Sequence, residues 1–243
     1  MNNIEKFAIV ADLHANKYAM EVFFDYIDSN FSVDLILNCG DNVNIGPHPK
    51  EIVSEVLNDK RFINILGNND QSLWKLPPVD IMRAEEITHH HWTRAKVGEE
   101  LIELMKEIPK THELTINGKR IFMVHSRIPQ NPIWDLPLLY TNVSVENFVK
   151  DYPSNVDNVL LGHTHEQLLL NWGSQKFINP GSLGCSRGKA VVSFCLVDTS
   201  SPEVNIEFKN LPYNEKRLKD DMKRLDMPDR DNILNSFYEN WVF

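Results

Sequence analysis

Only three cysteines, Cys39, Cys185 and Cys195, occur in the 243 residues, widely spaced and odd in number. They give no paired spacing, so neither a disulfide framework nor a thiolate zinc site is expected, and a reducing compartment fits them. Basic residues are outnumbered as well: 25 Lys and Arg face 34 Asp and Glu, a net charge of -9. A partner of polymeric DNA or RNA usually carries a basic stripe, which excludes that class of function. The basic residues that do cluster, Lys216, Arg217, Lys219, Lys223 and Arg224, alternate with Asp220, Asp221 and Asp226 and read as a solvated helix face. No apolar run approaches the roughly 18 residues of a membrane span. The first residues lack a basic segment leading into an apolar one, so a cytoplasmic location without membrane contact is expected. Repeats and low-complexity segments are missing too.

What is present is an ordinary globular mixture, 42% hydrophobic and 24% charged, which excludes disordered and fibrous classes. The length suits one domain spanning 1–243, with a helical tail over 214–243. Phe7 to Ala11 is a short apolar run of the kind buried on both faces of a sheet, and Val33 to Cys39 and Phe62 to Leu66 repeat it. Helical stripes lie between them, over Asn16 to Asn30 and Pro49 to Asn58. The order β-α-β-α-β with short links predicts a parallel sheet covered by helices. An amphipathic helix is expected over Thr93 to Ile108. Asn117-Gly118 between His112–Ile116 and Arg120–Val124 predicts a tight hairpin. Further strands are expected at 159–161, 167–171, 176–178, 190–197 and 204–208, then two helices parted near Pro228. The whole reads as a layered α/β sandwich.

Five short segments carry the chemistry, each at the end of an expected strand: Asp12-Leu13-His14, Gly40-Asp41, Gly67-Asn68-Asn69-Asp70, His125, and Gly162-His163-Thr164-His165. Ligand sites of α/β sheets gather beyond the carboxyl ends of strands. Asp and His are good ligands for divalent transition metals, and Asn offers a carbonyl oxygen. Asp12, His14, Asp41, Asn68, His125, His163 and His165 make seven such side chains. One ion takes three or four protein ligands, so seven point to two divalent ions sharing a carboxylate.

In these motifs, in this order, the chain resembles the calcineurin-like metallophosphoesterases, whose signature runs D-x-H, G-D, G-N-[HCx]-[ED], H, G-H-x-H. The match runs from about Phe7 to Arg187. Gly46-Pro47-His48-Pro49, Trp92-Thr93-Arg94 and the stretch from Asn179 to Gly184 with Arg187 resemble the small bacterial branch of diadenosine-tetraphosphate hydrolase-like and general phosphodiesterase members. The resemblance implies a four-layer α-β-β-α sandwich with two mixed β-sheets. It also implies that Asp12, His14 and His165 hold one ion, Asn68, His125 and His163 a second, with Asp41 bridging. The ions would be Mn, Fe, Zn, Co or Ni, with Mn the first choice in an assay. The implied reaction is metal-dependent hydrolysis of phosphodiester or phosphoanhydride bonds in a small phosphorylated substrate such as a dinucleoside polyphosphate, through a hydroxide shared by the two ions.

One position departs from many relatives: Asn69 stands where they carry a histidine proposed to protonate the leaving group. An amide donates hydrogen bonds but is no general acid near neutral pH. Substrates whose leaving group needs no proton are therefore expected. Arg187 is a candidate phosphate clamp through its planar fork of donors, and His48 a candidate to reach the substrate. His89, His90 and His91 read as surface or lid residues, and Trp74, Trp92 and Trp134 as packing residues. The aromatic tail, with Phe237, Tyr238, Trp241 and Phe243, is expected to pack on the core or to join subunits in a homo-oligomer. Two other readings compete. A serine/threonine protein phosphatase would carry G-D-x-V-D-R-G and G-N-H-E, which this chain lacks, and a non-catalytic scaffold would have lost metal ligands, whereas all seven are here.

Overall fold

Apolar on both faces, Lys6–Val10 forms β1 at the centre of a five-stranded sheet. A computed structural model describes residues 4–77, 79–126, 145–186, 188–201 and 204–239. Arg187, Trp134, Trp241 and Phe243, singled out above, lie outside them. The first sheet has the order β10-β9-β1-β2-β3, with β2 at Leu35–Asn38, β3 at Phe62–Asn64, β9 at Val191–Asp198 and β10 at Asn205–Pro212. Strands β1, β2 and β3 run parallel, as the β-α-β-α-β pattern predicts, and β9 and β10 extend the sheet antiparallel. The links are α1 at Lys17–Tyr26 and α2 at Pro49–Asn58.

The second sheet has the order β4-β5-β6-β8-β7, with β4 at Thr111–Ile116, β5 at Lys119–Val124, β6 at Asn158–Leu160, β7 at Gln167–Trp172 and β8 at Gln175–Pro180. It too is mixed, since β5, β6 and β8 are parallel while β4 and β7 pair antiparallel at its edges. The expected hairpin joins β4 to β5. Asn117 and Gly118 both take positive φ, 47° and 76°, the turn in which two left-handed residues match the twist of the strands.

Alternation along the strands sorts the core into layers. Phe7 and Ile9 of β1, Ala11 just beyond it, and Ile121 and Met123 of β5 meet in one cluster between the sheets. Ala8 and Val10 face the other way, onto Phe23 and Met20 of α1 and Leu218 and Met222 of α7 (Glu215–Arg224). On the far side Phe122 and Val124 pack against Phe148 and Val149 of α6 (Val145–Val149). Helix, sheet, sheet, helix is the four-layer arrangement expected.

Two expectations change. The helix foreseen over Thr93 to Ile108 is two: α4 (Ala84–Val97) begins nine residues earlier, and α5 (Glu99–Lys106) follows a break at Gly98, whose φ of 83° no helix accommodates. The basic face of α7 is not wholly solvated, because Asp221 is buried. It accepts from Tyr18 Oη at 2.6 Å and lies 2.8 Å from His48 Nε2. A short helix, α8 (Arg230–Ile233), follows, and Tyr238 and Phe237 beyond it pack on the α1 side of the core. Among the described residues no helix is long and apolar enough to cross a membrane.

Candidate metal centre

Every segment singled out at a strand end lies where β1, β2, β3, β5 and β6 run out. A four-residue helix, α3 (Asn68–Gln71), opens directly after the third of them. Asp12, His14 and His165 form one group whose ligand atoms all lie within 4.8 Å of one another, and Asp41, His125 and His163 form a second. Each group takes residues from both sheets. The carboxylates tie them together. Asp41 Oδ2 is 3.2 Å from His125 Nε2 in its own group and 4.0 Å from His14 Nε2 in the other. Asp12 Oδ1 is 3.6 Å from His165, 3.8 Å from His14 and 3.9 Å from His125.

The imidazoles are aimed by backbone carbonyls. Nδ1 of His14 faces Val43 O at 3.2 Å, that of His125 faces Cys39 O at 2.7 Å, and that of His165 faces Cys185 O at 2.7 Å. A carbonyl only accepts, so each Nδ1 carries its hydrogen and each Nε2 points into the cluster, as a lone pair on the uncharged rings of His14 and His165. His125 Nε2 is buried and faces the Asp41 carboxylate, 3.2 Å from Oδ2. The donor set therefore fits divalent cations: two carboxylates, the His163 imidazole and three inward Nε2 atoms, each of the three held by a bond behind its ring.

The protonation balance says the same. Burial pushes His14 and His163 down to about 4 and His165 well below its ordinary value. His125 is the exception. Burial opposes its charge, but the carboxylates of Asp41 and Asp12 outweigh that and raise it to about 10. Burial pushes Asp41 up, yet His125, His14 and the Asn69 amide hold it well below the carboxylate range, while burial keeps Asp12 well above it. This cluster draws in positive charge.

The backbone is bent to make it. Asp12, His14, Asp41, His163 and His165 all have positive φ, between 43° and 71°. Non-glycine residues seldom take that region, and its cost, of order 1–3 kcal/mol each, is typically met at functional sites. Close approach matters as well: a Cβ at Gly67 would overlap the Asp41 carboxylate, and one at Gly184 would overlap the Leu13 carbonyl.

Supporting residues lie one layer out. Asp70 is fully buried and accepts from the backbone N–H of Asp41, Asn42 and Gly67 at 2.9, 2.8 and 3.0 Å, and from Asn42 Nδ2 at 3.1 Å. Burial and the neighbouring Asp41 raise it to about 6. Its signal was the acidic position closing Gly67-Asn68-Asn69-Asp70. Asn69 donates its backbone N–H to Asp41 Oδ1 at 2.7 Å and its Nδ2 to Oδ2 at 2.6 Å, while Asn68 is exposed at the start of α3. Asn16 orders the loop after His14, capping α1 through Ala19 N and donating to Gly184 O.

His48 is buried, and its Nε2 faces Asp221 of α7. His89 and His90, expected at the surface, are buried too, while His91 is exposed. The reason is tertiary: His89 bonds the Ile45 backbone in the loop after Asp41 and His90 bonds Ser72 at the end of α3, pairings no local pattern announces. Trp92 stacks on His89 at 6.0 Å and 19°, and Trp74 packs beside Leu73 and Val97, so both are packing residues as expected.

Strand-end clusters of buried Asp and His astride two sheets define a metallohydrolase of the α-β-β-α type. The chain belongs to the calcineurin-like phosphoesterase superfamily, whose domain model matches residues 6–202. It is accordingly a metal-dependent phosphoesterase, a hydrolase. Similar solved structures include a metallophosphoesterase from Sphaerobacter thermophilus (21% identity, TM-score 0.70) and a hypothetical protein from Pyrococcus horikoshii OT3 (21%, 0.76). In each case the match covers 96% of this chain and 98% of the other. A novel archaeal phosphodiesterase is similar over 84% of this chain and 99% of its own, at 20% identity and a TM-score of 0.51. At such identities the likeness is one of fold. No curated protein matches the chain.

Proposed function

We propose that the protein hydrolyses phosphodiester or phosphoanhydride bonds in a small substrate, with a dinucleoside polyphosphate as the leading candidate, and holds two divalent ions to do so. The observation that carries this is the position of Asp41 and Asp12 between the two ligand groups, each carboxylate within 4.0 Å of imidazoles from both. Ions held there supply Lewis acidity: they make water nucleophilic near neutral pH and neutralise charge on phosphoryl oxygens.

The chain's own residues do the rest. Asp12, His14 and His165 would hold one ion and Asn68, His125 and His163 the other, with Asp41 between them. Asp12 also accepts the His163 backbone N–H at 2.9 and 3.1 Å, which fixes the loop carrying His163 and His165 to the β1 end. Asn69 can donate to a substrate oxygen but cannot deliver a proton. That favours leaving groups stable as anions, such as the phosphate of an anhydride, whose second pKa is about 6, or an aryl alcohol. In place of the protein phosphatases' D-R-G stand Asn44, Ile45 and Gly46. Asn44 and Ile45 are buried, so the position of that arginine offers no guanidinium here.

The test is a panel of dinucleoside polyphosphates, cyclic nucleotides, aryl phosphodiesters and phosphopeptides, assayed with Mn, Fe, Zn, Co and Ni in turn. Turnover of anhydrides and aryl diesters above phosphopeptides is expected. A preference for phosphopeptides, or no turnover with any ion, would sink the proposal.

A further inference from the structure

Helix α4 carries buried histidines that the centre described above does not use. His89 Nε2 accepts the backbone N–H of Ile45 at 3.2 Å. His90 Nδ1 is 3.0 Å from Ser72 Oγ and 3.2 Å from Asn44 Nδ2. A histidine that only filled space would do neither. The first contact falls on one strained corner and the second reaches it through Ser72, to which Asn44 donates: Asn44 and Ile45 have φ of 62° and 65°. For a β-branched residue such as Ile45 that conformation is a marked outlier and persists only where the surroundings enforce it.

The corner leads to the centre. Asn44 Nδ2 donates to Asn69 Oδ1 at 3.0 Å and lies 2.8 Å from Ser72 Oγ, and the Ser72 hydroxyl donates to the Asn69 carbonyl at 2.6 Å. With its hydrogen committed there, Ser72 Oγ can only accept from His90 and Asn44. A primary amide can turn either end toward a neighbour, and an oxygen turned to Asp41 would meet a carboxylate. The Asn44 donation settles which end points where: Asn69 Nδ2 faces Asp41 Oδ2 at 2.6 Å.

We propose that His89 and His90 are positioning residues of the phosphoesterase: they clamp the Asn44–Ile45 corner and so, through Asn44 and Ser72, set the Asn69 amide against Asp41. This rests on the phosphoesterase reading above. Burial pushes both rings down to about 4, so near neutral pH each is the uncharged imidazole these bonds need.

The test uses Mn-loaded enzyme with bis(4-nitrophenyl) phosphate, and metal-free ¹⁵N-labelled protein for NMR. Asn offers a donor near the position of Nδ1, and Gln an acceptor near that of Nε2. His90→Asn and His89→Gln should therefore keep most of kcat, whereas His90→Gln and His89→Asn should lose about tenfold or more with KM little changed. His90→Phe combined with Asn69→Ala should be no worse than Asn69→Ala alone. The Asn69 side-chain amide signals, assigned by their loss in Asn69→Ala, should shift in His90→Gln and not in His90→Asn. An active wild type whose kcat and Asn69 signals ignore all four single substitutions, or defects that simply multiply in the double variant, would overturn the inference. A wild type with no turnover on any diester or anhydride would instead overturn the reading beneath it, and this inference with it.

Discussion

Nε2 of His14 lies 2.9 Å from Nε2 of His165, and the Nδ1 of each ring already faces a carbonyl, that of Val43 or of Cys185. Two lone pairs at that distance repel unless something positive comes near. Mn or Zn ions should therefore stabilise the fold, by about 2.7 kcal/mol at a hundredfold excess over Kd. Thermal melts with added ions and with EDTA measure this. His165→Ala, which removes a ligand of one group and leaves the other intact, should keep only part of that shift, and a full response in that variant would place ion binding elsewhere.

Asp70 answers four donors inside the protein. Asp70→Ala would strand the N–H groups of Asp41, Asn42 and Gly67, at about 1–3 kcal/mol for each group left unpaired. Urea denaturation should show the variant more than about 3 kcal/mol less stable. A loss under about 1 kcal/mol would mean that water replaces the carboxylate and that Asp70 does not hold the Asp41 loop.

Asn69→His tests leaving-group selectivity. An imidazole at that position can deliver a proton, which typically contributes 10²–10⁴-fold. Rates on alkyl phosphodiesters should rise relative to aryl esters and anhydrides. Equal change across the three classes would remove Asn69 as the reason for any preference.

Acid should loosen the α4 clamp. His89 and His90 sit near 4, below the ordinary 6.5, so as pH falls the unfolded chain takes up their protons first. Stability is then complete above about 6.5 and drains from there through about 4, by up to about 3 kcal/mol per histidine. Urea midpoints between neutral pH and about pH 5 should fall less steeply in His89→Gln than in the wild type. Parallel slopes would mean that the native His89 titrates like the unfolded one.

Much of this was legible because it is local. Runs such as Phe7–Val10 can only be buried strands, Asn117-Gly118 can only be a tight turn, and the metal-binding residue types sit where those strands stop. What escaped is tertiary. The burial of His89 and His90 depends on Ile45, Asn44 and Ser72, distant in sequence. Asp221 looked like one more charge on a solvated helix, yet Tyr18 and His48 draw it inward. Gly98 was a visible glycine, but an amphipathic stripe continues across it, and only its φ shows that the helix stops.

The two ligand groups draw on opposite sheets: Asp12 and His14 come from one side with His165 from the other, and Asp41 from one side with His125 and His163 from the other. An ion seated in either would work as a rivet through two plates, and its grip would depend on how those plates are stacked. The apolar filling between them, which includes Ile9, Met123 and Ile178, is thus part of the ion's surroundings at one remove. A methyl group trimmed there shifts the stacking, and titration with Mn would register the change as weaker affinity even where the fold still melts as one unit.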